Sequence, residues 1–277
     1  MSVRRRWVPA LALLVALAAV PATAQATLAY VRKPLNPVVW VAEDNGKHAH
    51  ELAPGSNPRV SPDGQLVAFL HQGKGRSAQP ELMLAPADGS APVSRLASGW
   101  RETSVFAWSP DSASIAAVLG PELGPKRLAV IDVATGAQET IAGGFFSGVS
   151  FAPGGGQLVY GRSASEDFPP RSDVYRFDIP KGETIRAVHP VRLTHDQRSL
   201  DPLWGPNNKI VFVKQLGAKK RKYGPKNELF LINPNGKGVR RLTHTKVDPL
   251  LRSLHADARW QVFLGKMGLA DSADDTL

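Results

Sequence analysis

Along the chain, apolar and polar positions fall into two motifs that alternate five times. The first is a tight turn followed at once by an apolar run. Ser61-Pro62-Asp63-Gly64 leads into Leu66-Val67-Ala68-Phe69, and Ser109-Pro110-Asp111-Ser112 leads into Ile115-Ala116-Ala117-Val118. Ala152-Pro153-Gly154-Gly155 precedes Leu158-Val159-Tyr160, and Gly205-Pro206-Asn207-Asn208 precedes Ile210-Val211-Phe212. A worn fifth copy reads His255-Ala256-Asp257-Ala258 before Trp260-Gln261-Val262-Phe263. The second motif is a strand-like run ending in glycine, at Gly46, Gly89, Gly136, Gly182 and Gly236.

Each motif has a physical reading. Proline presets φ for the second turn position, aspartate suits the third, serine bonds back to the backbone, and glycine tolerates the exit geometry. The residue before each turn is large and apolar: Val60, Trp108, Phe151, Trp204 and Leu254. One strand therefore enters the turn with a core-facing side chain and a second leaves it. A third runs to the glycine. A fourth, shorter strand ends in Arg95-Leu96-Ala97, Thr140-Ile141-Ala142, Arg192-Leu193-Thr194 or Arg241-Leu242-Thr243. Four short antiparallel strands in ~45 residues make the blade of a β-propeller. Val174-Tyr175-Arg176-Phe177 alternates, while other runs are apolar throughout, as strands covered on both faces must be.

The stretches RLTHDQRSLDPLWGPNNKIVFVKQ (192–215) and PRVSPDGQLVAFL (58–70) resemble the repeats of the TolB-like, WD-repeat-related propellers. The resemblance runs over residues 28–265, without the separate amino-terminal domain of TolB itself. It implies an all-β, six-bladed propeller of TolB type. Residues 28–31, 38–43 and 50–52 would supply the second to fourth strands of a first blade. Four full blades follow, then two strands of a sixth. The expectation is a six-bladed plan with an incomplete last blade. A closed five-bladed ring, in which the last strand pair joins the amino-terminal strands, is the alternative; an open ring would leave strand edges unpaired.

Composition narrows the chemistry. With 25 glycines and 23 prolines in 277 residues, long helices are nearly excluded. There is no cysteine, which excludes disulfides, thiolate metal sites and cysteine nucleophiles. At the amino terminus, Arg4, Arg5 and Arg6 precede an apolar run over 8–20, and Ala22-Thr23-Ala24 and Ala24-Gln25-Ala26 offer small-residue cleavage sites. This three-part pattern predicts a secretory signal peptide over 1–24 and a propeller domain over 25–277. The apolar run is short for a membrane span, which needs ~20 residues. The protein is expected outside the cytoplasm, periplasmic or secreted, as a monomer with no transmembrane segment after cleavage. Formal net charge is +10, and the chain stays basic once the leader is removed. For an exported protein this points to anionic envelope partners rather than nucleic acid.

Catalytic motifs are missing: no Gly-x-Ser-x-Gly elbow, no His-Glu-x-x-His and no phosphate-binding glycine loop. His48 and His50 stand two apart on an expected strand and would share a solvated face. His195 and His244 follow the same Leu-Thr motif in successive repeats. Asp63, Asp111, Asp132 and Asp178 are expected to cap turn amides. The innermost strands, read as 59–60, 105–108, 149–151, 203–204 and 250–254, hold no acid, which argues against a metal in the channel. No cofactor, metal or catalytic residue is expected.

Partner binding is assigned to loops at one mouth of the channel, over 98–104, 143–148, 195–201 and 244–249. These carry Trp100, Arg101, Phe145, Phe146, His195, Arg198 and Lys246, with the aromatic and arginine types favoured at interface hot spots. A basic run, Lys219, Lys220, Arg221 and Lys222, is a second candidate, for an anionic surface. Two function classes stay open. One is an exported, non-catalytic propeller binding a protein or envelope polymer. The other is a propeller enzyme or glycan-binding module of lyase or lactonase type, acting through the channel.

Overall fold

The computed structural model describes residues 27–33, 36–72, 80–97, 105–120, 124–165, 171–180, 188–217 and 226–244. Apart from one 3-10 turn, Pro206–Asn208, every regular element among them is a strand, and none of their helices is long and apolar enough to cross a membrane. Blade 1 holds β1 (Thr27–Arg32), β2 (Val38–Glu43) and β3 (His50–Pro54). Blade 2 holds β4 (Ser56–Val60), β5 (Leu66–Gln72), β6 (Pro80–Pro86) and β7 (Ser94–Ala97). Blade 3 begins with β8 (Phe106–Trp108), β9 (Ser114–Leu119) and β10 (Lys126–Asp132), and blade 4 includes β12 (Gln157–Ser163), β13 (Ser172–Asp178) and β14 (Val191–Arg192). Blade 5 holds β15 (Ser199–Gly205), β16 (Lys209–Leu216), β17 (Lys226–Ile232) and β18 (Arg240–Arg241). Every strand pair is an antiparallel meander neighbour.

The remaining strand corrects the sequence reading. Residues 143–148 form no loop: β11 (Gln138–Phe151) runs unbroken from blade 3 into blade 4. Its first half pairs with β10 up to Gly144 and its second half with β12 from Phe145, so blades 3 and 4 share one seven-stranded sheet. Gly144 at φ 142° and Gly148 at φ 61° let the strand change direction without leaving the sheet.

The turns form as their residues dictate. Ser61 Oγ donates to Asp63 and accepts the Leu66 amide at 2.9 Å, while Asp63 Oδ1 accepts the Gln65 amide at 3.0 Å. Ser109, Asp111, Ala113 and Ser114 repeat the pattern, and Asp132 accepts the Thr135 amide at 2.8 Å. Asp178 departs from it. Its carboxylate takes the side chains of Gln157 and Arg176 instead, because it ends β13 facing β12.

Blades stack through apolar faces. Val39, Val41, Val67 and Phe69 join blades 1 and 2; Leu82, Phe106, Ile115 and Ile131 join 2 and 3. Leu128, Phe151, Leu158 and Tyr160 join 3 and 4; Val159, Trp204, Ile210 and Phe212 join 4 and 5. Polar stitches cross the same seams: Asp63 N to Ser112 Oγ at 3.1 Å, Trp108 Nε1 to Arg59 O at 3.0 Å, and Trp204 N to Ser150 Oγ at 3.1 Å.

Candidate binding surface at the channel mouth

The segment from β14 to β15 is short and almost wholly polar, so hydrogen bonds rather than packing must hold it. Two aspartates do so. Asp173, buried in β13, accepts the Gln197 amide and the Thr194 hydroxyl on Oδ1, each at 3.0 Å, and pairs with Arg192 through Oδ2. Asp196 accepts the Arg198 amide at 3.0 Å and the Ser199 hydroxyl at 2.9 Å, and pairs with Lys214 of β16. Burial disfavours the charged form of Asp196, but Lys214, Ser199 and the Arg198 amide outweigh that and hold its pKa below the ordinary aspartate value. The Arg198 carbonyl accepts the Gln215 amide at 2.8 Å. Gln197 adopts φ 54° in this tight path. The outcome is a pinned backbone that turns His195, Gln197 and Arg198 outward as exposed side chains.

Next to this segment the innermost strand kinks. Asp201, exposed, sits at φ 46° inside a bulge between Leu200 and Leu203, and its amide donates to Ser147 Oγ of β11 at 3.3 Å. The neighbouring strand bulges at the same repeat position, where Gly148 lies so close that an added Cβ would stand 2.9 Å from Asp201 Cα. Asn57 of β4 repeats the kink at φ 51°. The first strands of blades 2, 4 and 5 thus bend at one repeat position, four residues before each turn. Two of the bends were visible as Asn57-Pro58 and Asp201-Pro202, since Asn and Asp tolerate left-handed backbone. The expectation of acid-free innermost strands fails here: β15 begins at Ser199, not Leu203, and takes Asp201 with it.

The expected rim residues divide. His195 and Arg198 come together on the pinned segment. Phe146 belongs to the framework: its ring meets Tyr160 edge-on at 5.8 Å and packs on the core between blades 3 and 4. Phe145, half-buried, lies opposite Ser163 within the sheet. Trp100, Arg101, Lys246 and the basic run Lys219, Lys220, Arg221 and Lys222 lie outside the described residues. His48 and His50 do not share a strand face, because His48 precedes β3 at φ 53° and turns to Glu43 while only His50 enters the strand. Among the described residues, no three His, Asp or Glu side chains gather in a way that could hold a metal ion.

Sequence reasoning missed Asp173 and Asp196, which position the segment, and the pairing of Lys214 with Asp196. A signal existed. An acid near the start of the third strand and an arginine in the fourth recur as Glu81 with Arg95, Asp173 with Arg192, and Glu228 with Arg241.

No protein-family model matches this chain, and no curated protein does. Solved structures do. TolB from Acinetobacter baumannii superposes with a TM-score of 0.56 at 17% identity, over 80% of this chain and 54% of that one. The propeller domain of the Trilobed protease from Pyrococcus furiosus, described as having an open velcro topology, gives 0.55 at 15% identity over 79% and 69%. An oligogalacturonate lyase in complex with manganese gives 0.52 at 15% identity over 79% and 60%. The chain has a TolB-like β-propeller fold. It spans about half the length of the Acinetobacter TolB. TolB, a lyase and a peptidase all stand among the neighbours of this propeller, so the fold alone leaves activity open.

Proposed function

We propose that this chain is an exported, non-catalytic TolB-like propeller that binds a protein or cell-envelope polymer through the channel mouth. The observation that carries the reading is the pinned segment over 195–198. Its backbone is tied to Asp173 and Asp196, while His195 and Arg198 project to solvent. Holding side chains outward on a fixed backbone lowers the loop-ordering cost of association, one of the terms that oppose binding. Arginine is also among the residue types enriched at interface hot spots. Export rests on the arginine-led apolar leader over 1–24, and the basic charge suits anionic envelope material. Trp100, Arg101 and Lys246 extend the same surface in this reading.

The mature chain, immobilised against a detergent-solubilised envelope fraction, tests it. Arg198→Ala should weaken capture of its partner by ~2 kcal/mol, about thirtyfold, with melting unchanged. Replacing Lys219–Lys222 by serine serves as control. Capture lost there, steeply salt-dependent and indifferent to Arg198, would move the site to the basic run. A second reading, an enzyme or glycan-binding module working through the channel, draws on the lyase neighbour and on exposed Asp201 on an innermost strand. Lyase or hydrolase activity in the purified mature chain, lost in Asp201→Asn, would establish it instead.

A further inference from the structure

The repeat matches arginines to carboxylates of its own chain: Arg95 to Glu81, Arg192 to Asp173 and Arg241 to Glu228. Two arginines flanking Asp173 go without. Arg162 stands directly opposite Asp173 across β12 and β13. Both oxygens of that carboxylate are already taken, one by Arg192 and the other by Thr194 and the Gln197 amide. Arg198 follows Gln197 on the other side, with its backbone tied to Asp196 and Gln215 and its side chain exposed. Among the described residues, neither guanidinium has an ion-pair partner.

Arg162 is held in place all the same. It is half-buried, with its guanidinium 6.0 Å from the centre of the Tyr175 ring, which is itself stacked on Tyr160 at 5.7 Å. Phe146 stands opposite it across β11 and β12. Gly144 makes the room, since a Cβ there would come within 3.0 Å of Arg162 Nε. An oriented guanidinium loses little freedom when an anion meets its fork.

We propose that Arg162 and Arg198 form a two-point clamp, one on each side of Asp173, for carboxylates on an acidic segment of a partner protein. The clamp rests on the proposed mouth surface and names the chemistry of its partner. The planar guanidinium fork matches a carboxylate through two parallel hydrogen bonds. That is the pairing type the repeat uses internally, and these two arginines are left to find it elsewhere. Among the described residues no aromatic side chain is exposed, so a stacking platform for sugar rings is missing there. An acidic protein segment therefore fits better than a glycan.

Anisotropy of a fluorescein-labelled oligoglutamate peptide, titrated with the mature chain at physiological ionic strength, tests the clamp. Arg162→Gln and Arg198→Gln should each weaken binding about tenfold or more, the scale of a lost charge-assisted hydrogen bond. Arg162→Lys should weaken it nearly as much, because the ammonium keeps the charge and loses the fork. It also reads the same loss if Arg162→Gln lowers the melt. Lys237, exposed between β17 and β18 at the opposite end of blade 5, is the control, and Lys237→Gln should change binding less than about twofold. Equal weakening by Lys237→Gln and Arg162→Gln would reduce binding to net charge and overturn the clamp. Tighter binding of hyaluronate or inorganic polyphosphate, lost in the same variants, would overturn the acidic-protein assignment. If oligoglutamate fails to bind while Arg198→Ala still reduces envelope capture, the clamp falls and the mouth surface stands. Oligoglutamate binding that needs both arginines, beside envelope capture indifferent to Arg198, would give the reverse.

Discussion

Blades 3 and 5 tie their third strand to their fourth at the same repeat position with opposite chemistry. In blade 5 the tie is a buried carboxylate: Glu228, 1% exposed, pairs with Arg241 at 3.1 Å and accepts the Thr243 hydroxyl, which in turn accepts the Leu229 amide. Blade 4 repeats this with Asp173, Arg192 and Thr194. In blade 3 an arginine stands where the acid would be: Arg127 donates to Gln138 at 2.8 Å and to Thr140 at 3.4 Å, near solvent. The repeat therefore keeps a cross-strand tie and exchanges donor for acceptor. What differs is the dependence on partners. A buried carboxylate must be fully paired, whereas a solvated guanidinium loses little when its acceptors go.

The largest effect should come from neither tie but from the seam between blades 4 and 5. Trp204 is 5% exposed and packs against Val159, Ile210 and Phe212, with its Nε1 on Asn208. Trp204→Ala should cost about 3–5 kcal/mol in denaturant melts. A loss below roughly 1 kcal/mol would mean that ties, not seams, hold the blades.

Next comes the comparison itself. Asp173→Ala strips Arg192, Thr194 and the Gln197 amide of their acceptor, and should cost about 3 kcal/mol. Arg127→Ala should cost under about 1 kcal/mol. Equal losses in the two melts would show that burial does not distinguish these ties. Asp173→Ala should also loosen the mouth segment, read as faster amide exchange at Gln197.

How much of this was readable beforehand follows from where the forces act. The turn-strand cycle was legible because proline, glycine and side-chain caps work within five residues, as at Ser61 to Leu66. The second and third strands of blades 2 to 5 followed from it, whereas the innermost strands of blades 2, 4 and 5 begin earlier than the pattern suggested. The unbroken β11 was not legible, since Gly143, Gly144 and Gly148 read as loop residues until the pairing with β10 and β12 is seen. Nor was the pinned mouth segment. Asp173 reaches Gln197 across 24 positions, a distance at which local pattern says nothing, and only the recurring acid and arginine hinted at it. Phe146 failed for a related reason: an aromatic between glycines looks exposed until Tyr160 arrives beneath it.

The smallest expected effect separates the turns from the ties by pH. Ser109 and the Ala113 amide lower the Asp111 pKa below the ordinary aspartate value; at Asp63, Ser61, the Gln65 amide and Ser112 do the same against an opposing burial contribution. A carboxyl with a depressed folded pKa stabilises fully above its unfolded value, and that stability disappears as pH falls through the folded one. Stability should therefore hold from neutrality down to about pH 4 and decline below it. Asp63→Asn with Asp111→Asn should flatten that decline while leaving the midpoint at neutral pH within about 1 kcal/mol, because both side chains sit on exposed turns whose caps an asparagine oxygen partly replaces. Melts at pH 7 and pH 3 on the two proteins read the difference. An unchanged acid slope would assign acid sensitivity to carboxylates other than these two turn aspartates, and the turns would then owe their stability to proline and serine alone.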